Sequence, residues 1–132
     1  MKIAIIDDDP AVCGMLQELL EISGHEVSIY SNPWNLLMTL FQCDPPTCLF
    51  DAMIVDILLP DLPGSQVIQY IREYFADLPI VVVSALPSRS LESLYNKYKV
   101  LTVLKKPFAL CELQAVLERV CGSAQQVAPP AS

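Results

Sequence analysis

No stretch of this 132-residue sequence comes near the roughly 20 consecutive apolar residues that a membrane-spanning helix needs. The N-terminal burst Ile3-Ala4-Ile5-Ile6 runs straight into three aspartates, so it does not read as a secretory leader. Basic residues are scarce, with eight Lys and Arg against fifteen Asp and Glu and a net charge of −7. Without a basic stripe to neutralise phosphates, direct nucleic-acid binding by this domain is not expected. The five cysteines (Cys13, Cys43, Cys48, Cys111, Cys121) are an odd count with no CxxC pair and no nearby histidine to complete a zinc site. They read as reduced, mostly buried small side chains. On these absences the domain is expected to be cytoplasmic, with its cysteines reduced.

What is present is a high apolar content, 53%, with a mean hydropathy of +0.43. The length fits one domain with a sizeable core. The apolar residues come in short bursts such as Ile80-Val81-Val82-Val83 and Ala52-Met53-Ile54-Val55, each broken by Asp, Pro or Gly. Bursts of that kind are strands buried on both faces, and they alternate with segments of helical period, five of each. The pattern predicts an α/β fold with a parallel sheet and helices on both sides. Strands are expected near 2–6, 26–30, 50–55, 79–83 and 100–104.

Helices are expected near 10–23, stopping at Gly24, from Asn32-Pro33 to before Asp44-Pro45-Pro46, and near 64–75, 88–98 and 108–121, the last ending at Gly122. Asp9 reads as an N-cap with Pro10 at the first helical position. The inner stripe of the fourth helix, Leu91, Leu94, Tyr95 and Tyr98, is thin, which makes it the most mobile element expected. Trp34 is read as covering the start of the second helix rather than facing a partner. Residues 123–132 lack apolar periodicity and read as a linker or flexible tail after a domain spanning 1–122, beyond which a further domain is expected about as often as not.

Chemistry gathers at the carboxyl ends of the strands, where an open parallel sheet places its ligand crevice. Asp7 and Asp8 follow strand one, Asp56 ends strand three, Ser84 ends strand four, and Lys106 follows strand five. Taken singly, each has an ordinary explanation: a strand-end residue, a turn cap or a solvated charge. Their joint placement on one rim is what carries information. Like charges a few ångströms apart repel by roughly 1–4 kcal/mol, which a divalent cation or a positive side chain relieves. Clustered carboxylates suit an octahedral Mg²⁺. A carboxylate beside that ion can take up a phosphoryl group while a lysine and a hydroxyl orient its oxygens.

On these residues the chain resembles a response-regulator receiver domain of two-component signalling, similar to stand-alone chemotaxis regulators. The matching segments are Asp7-Asp8, Ile54-Val55-Asp56-Ile57-Leu58-Leu59-Pro60 with Gly64 after it, Ser84-Ala85 after the fourth apolar burst, and Lys106-Pro107-Phe108. The resemblance implies a flavodoxin-like, doubly wound (βα)5 fold with strand order 2-1-3-4-5. It implies that Asp56 accepts a phosphoryl group from a sensor histidine kinase or phosphotransfer protein. Asp8, Asp56 and the Leu58 carbonyl would hold Mg²⁺ directly, or Mn²⁺ in its place, with Asp7 acting through water. Lys106 would pair with carboxylate and phosphoryl oxygens, and Ser84 would bond the phosphoryl group. A cis peptide is expected at Lys106-Pro107.

Output would pass through the surface of the fourth helix, fifth strand and fifth helix to an effector protein, to a C-terminal effector domain beyond residue 132, or through a homodimer. Turnover of an external substrate is not expected. His25, in a turn far in sequence from these residues, is not read as a phosphohistidine.

Two positions depart from the common family pattern. Val103 stands where an aromatic residue usually couples to the hydroxyl residue, so coupling is expected through the loop after Ser84 with Tyr95 and Tyr98. Leu58 and Leu86 are bulky and apolar where a hydrolytic water would approach, which predicts a long-lived aspartyl phosphate. Two rival readings remain: a Mg²⁺-dependent phosphohydrolase of haloacid-dehalogenase type using Asp7 and Asp9, and a receiver that binds partners without being phosphorylated.

Overall fold

A computed structural model describes residues 1–42, 49–59, 62–85, 96–97 and 99–127, with the backbone alone for 110 and 121–127. Five parallel strands, β1 (Lys2–Ile6), β2 (Glu26–Tyr30), β3 (Ala52–Asp56), β4 (Ile80–Ser84) and β5 (Thr102–Lys105), form one sheet in the order β2-β1-β3-β4-β5. The helices are α1 (Pro10–Ile22), α2 (Pro33–Leu40), α3 (Gly64–Tyr74) and a C-terminal helix, α4 (Leu110–Val127), the fifth segment expected to be helical. Of the fourth expected helix only Asn96 and Lys97 are described, and both are helical. Leu86, Tyr95, Tyr98 and the Asp44-Pro45-Pro46 stop lie outside the described residues.

Strand alternation divides the core into two layers. Ala4, Ile6, Met53, Val55, Ile80 and Val82 face α2 and α3, where Leu36, Leu40, Val67, Ile68 and Ile71 close the layer. Ile3, Ile5, Ala52, Ile54, Val81, Val83 and Leu104 face α1 and α4, against Leu16, Leu20, Leu113, Val116 and Val120. Each Val, Leu, Ile or Met side chain among these contributes about 1.5–3 kcal/mol when withdrawn from water. The two faces together hold the central strands rigid, and the functional rim sits on their carboxyl ends.

Helix starts follow the capping logic of the sequence. Asp9 accepts from the Ala11 amide at 3.0 Å with Pro10 behind it, and Asn32 accepts from the Trp34 amide at 2.9 Å with Pro33 behind it. Gly24 takes φ of 90°, a left-handed turn that ends α1 where a side chain would be strained.

Several expectations need correction. β3 begins at Ala52 rather than residue 50, because Asp51 turns its carboxylate back to accept from the Lys2 amide at 2.8 Å. β4 and β5 start one and two residues later than expected. Burial on both faces holds for β3 and β4, whereas β2 is an edge strand with Glu26, Ser28 and Ile29 exposed. α4 does not stop at Gly122 but continues to Val127, since a glycine inside a helix costs only about 1 kcal/mol and does not by itself end it. On α1 it is Cys13 that lies buried with Leu16 and Leu20, while Val12 and Leu19 sit at the margin. Cys111, by contrast, is exposed.

Candidate functional site

β1 and β3 are neighbours in register, Ile6 opposite Val55, so the residues leaving their carboxyl ends emerge side by side. Asp7 and Asp56 are both buried, with 3% and 4% of their surface exposed, and Asp8 is open to solvent. One carboxylate oxygen from each of Asp7, Asp8 and Asp56 can be chosen so that all three lie within 4.8 Å of one another. Opposite ligands of an octahedral Mg²⁺ are about 4.2 Å apart, so this spacing and this all-oxygen donor set fit that ion with small adjustments.

Lys106 reaches the same point from beyond β5. Its Nζ donates to Asp7 Oδ2 at 2.9 Å and to Asp56 Oδ2 at 3.1 Å. Its main-chain amide donates to the Ser84 carbonyl at 2.7 Å, which ties the lysine loop to the end of β4. Ser84 is fully buried and follows Val83, the register partner of Asp56. The Lys106–Pro107 peptide is cis. At Asp56, the second oxygen, Oδ1, accepts from the Leu58 amide at 3.0 Å, and the Leu58 side chain is half-exposed at the rim.

Burial raises the Asp56 carboxyl above the ordinary aspartate range, against the pull of the Leu58 amide and Lys106, with Asp7 adding repulsion. Burial pulls the Lys106 ammonium down, but its hydrogen bonds to Asp7 and Asp56 outweigh that and hold it above the usual lysine range. Three carboxylates against one ammonium leave the pocket with a formal charge of −2, which a divalent cation balances.

A family model for the response regulator receiver domain matches residues 3–118. The chain belongs to that family. Response regulator MprA of Mycobacterium avium is 34% identical over 120 residues, covering 87% of this chain and 48% of the relative, and MprA of Mycobacterium leprae is 33% identical over the same shares. The receiver chain thus spans about half the length of these curated relatives. Among solved structures, a CheY-like receiver domain protein from Methanospirillum hungatei superposes with a TM-score of 0.79 at 20% identity, covering 95% of this chain and 97% of the other. The Thermotoga maritima response regulator TrrA, crystallised in complex with Mg²⁺ and BeF, gives 0.75 at 24% identity, covering 90% and 97%. The fold is therefore that of a CheY-like receiver, and the acidic pocket of this receiver suits phosphoryl acceptance with Mg²⁺.

The structure brings Asp7, Asp8, Asp56 and Lys106 into one pocket, and places Ser84 at its edge. Asp9, the second acid of the phosphohydrolase reading, is instead an exposed helix cap outside the metal-competent group. Trp34 stays nearly half-exposed at 47% and so covers its helix start incompletely. One contributor, Cys13, was missed from sequence, and Gly64, named there only as part of the motif, proves to be a point of close backbone approach. Cys13 Sγ lies 3.3 Å from the Asp7 carbonyl, and a Cβ on Gly64 would lie 2.7 Å from Ile57 Cα and collide with the Asp56 carbonyl. The only available hint of the Cys13 contact was a thiol one helical turn past an acid-bearing strand. No helix among the described residues is long and apolar enough to cross a membrane.

Proposed function

We propose that Asp56 is the phosphoacceptor of this receiver, with a sensor histidine kinase or a phosphotransfer protein as donor. The observation that carries this reading is the convergence of Asp7, Asp8 and Asp56 within 4.8 Å with Lys106 bonded to two of them. Asp8, Asp56 and the Leu58 carbonyl would hold Mg²⁺ directly and Asp7 through water, with Mn²⁺ as a substitute of similar ligand preference. The ion, when bound, supplies charge neutralisation and in-line orientation for phosphoryl transfer.

The work of the chain's own residues is concrete. An Asp56 oxygen forms a bond to phosphorus as the phosphorus–nitrogen bond of the donor phosphohistidine breaks, and the electron pair returns to the imidazole. Lys106 moves its hydrogen bonds from carboxylate toward phosphoryl oxygens, and the Ser84 hydroxyl donates to one of them. The Leu58 amide holds Asp56 Oδ1 and so leaves one defined face of the carboxylate for attack.

The product is a change of state rather than turnover of an external substrate. Phosphorylation favours one of two existing conformers of the segment after Ser84, β5 and α4, which then meets an effector protein, an effector domain or a second copy in the cytoplasm. Residues 1–122 would form the receiver unit, although α4 runs past that boundary to Val127.

Incubation with acetyl phosphate and Mg²⁺ followed by intact-mass measurement tests this directly. One added phosphoryl group that disappears in Asp56→Asn supports it. Retention of that group in Asp56→Asn refutes it.

A further inference from the structure

Asp7 is tied at every polar atom. Its amide donates to the Tyr30 carbonyl at 3.3 Å, its Oδ1 accepts from the Asp9 amide at 2.9 Å, its Oδ2 accepts from Lys106 at 2.9 Å, and its carbonyl accepts from Cys13 Sγ at 3.3 Å. The first two partners are backbone and the third is the charged centre of the site. The fourth is a neutral side chain that belongs to none of the acids. The Asp7 carbonyl is the oxygen of the peptide joining Asp7 to Asp8, so its orientation sets how the exposed Asp8 carboxylate projects relative to the buried one.

We propose that Cys13 is a positioning residue for the cation pocket: its thiol, donating to the Asp7 carbonyl, fixes the peptide between the two consecutive acids and so holds Asp8 in register with Asp7 and Asp56. This rests on the metal-binding role given to those acids above.

Position and burial make the thiol suitable for the task. The Cys13 amide bonds to the Asp9 carbonyl at 3.0 Å, in the first turn of α1, which aims the side chain back at the strand end. Only 5% of Cys13 is exposed, and it packs in the same layer as Ile3, Ile5 and Leu16, so the thiol has no open direction in which to turn. As a thiol, the side chain is a hydrogen-bond donor. Without it, a buried carbonyl loses its partner and the peptide is free to rotate toward another.

The test compares Cys13→Ser, which retains a donor, with Cys13→Ala and Cys13→Val, which do not; Val also fills the volume, so a folded donor-free variant is at hand if Ala is poorly stable. Two quantities are read on the full chain: Mg²⁺ affinity by titration calorimetry, and the Asp8 backbone amide position in metal-free ¹H–¹⁵N spectra. Ala and Val are expected to weaken Mg²⁺ binding about three- to tenfold and to displace the Asp8 amide peak, while Ser stays within about twofold of wild type. Unchanged affinity and an unchanged Asp8 peak in Ala and Val overturn the proposal, as does Ser behaving like Ala. Absence of Mg²⁺ binding in the wild type instead refutes the metal-site reading itself, and the Asp8 peak then still decides whether Cys13 fixes that peptide.

Discussion

Lys106 Nζ lies 3.1 Å from Asp56 Oδ2 although fifty positions separate the two residues, and the same ammonium also holds Asp7. A resident cation therefore occupies the space between two buried acids. Any divalent ion entering the pocket competes with it for Asp7 and Asp56. Replacing Lys106 with Met removes that competitor and leaves the acids mutually repelling. Mg²⁺ is expected to bind about three- to tenfold more tightly to Lys106→Met by titration calorimetry. Metal-free stability should fall by about 2 kcal/mol in denaturant melts, and saturating Mg²⁺ should restore most of it.

The Asp56 carboxyl supplies a pH dependence. Its folded-state pKa lies above its unfolded value because of burial, so folding favours the protonated form. Its contribution is therefore fully present below the unfolded pKa and is lost as pH rises through the folded one. Where the carboxylate is ionised it opposes folding, and Asp56→Asn removes that charge. Metal-free Asp56→Asn is expected to melt about 3 °C above wild type at pH 7 by calorimetry. The gain should shrink as pH falls through the folded-state pKa, where the wild-type acid also loses its charge.

Gly64 is where α3 abuts the backbone of Asp56 and Ile57, with its amide donating to the Ile57 carbonyl at 3.0 Å. The contact is with main chain, so no side chain can swing aside to accept a methyl group. Gly64→Ala is expected to cost about 1–3 kcal/mol in chemical denaturation. It should also slow phosphorylation of Asp56 by acetyl phosphate severalfold, since the loop carrying Leu58 must shift.

Arg72, at the end of α3, donates to the carbonyls of Phe75 at 3.0 Å, Leu78 at 2.6 Å and Lys99 at 3.3 Å. Burial lowers its pKa from the ordinary arginine value, with Asp77 opposing. One guanidinium thus fastens the turn before β4 to the segment entering β5. Arg72→Met keeps much of the stem packing but leaves three acceptors without this donor. A loss of about 2–3 kcal/mol in urea melts is expected, with Mg²⁺ affinity unchanged because the clasp sits at the opposite end of the sheet.

Leu58 stands half-exposed beside the Asp56 carboxylate and offers no side-chain hydrogen bond to a water. Leu58→Asn supplies one. Loss of phosphate from the purified phosphoprotein, followed by intact mass, should quicken about tenfold in this variant.

The sequence exposed the fold because local and global signals agree in it. Asp9-Pro10 and Asn32-Pro33 each cap a helix as written, and every chemically unusual residue of the rim stands at or just after the end of an apolar burst. Long-range partners could not be read in that way. The reach of Arg72 to Lys99 crosses 27 positions and depends on how α3 packs. The thiol of Cys13 carries no spacing rule that links it to a carbonyl, and buried cysteine is usually mere filling. The start of β3 moved because Asp51 spends its carboxylate on the Lys2 amide, a tertiary contact that apolar periodicity does not register.

Borohydride trapping tests the central claim most directly. The acyl phosphate formed with acetyl phosphate and Mg²⁺ is reduced in place, and the modified residue is located by peptide mass mapping. Conversion of residue 56 alone to homoserine is the predicted result. Reduction at Asp7 or Asp8 with residue 56 untouched, or no reduced residue at all, would contradict it.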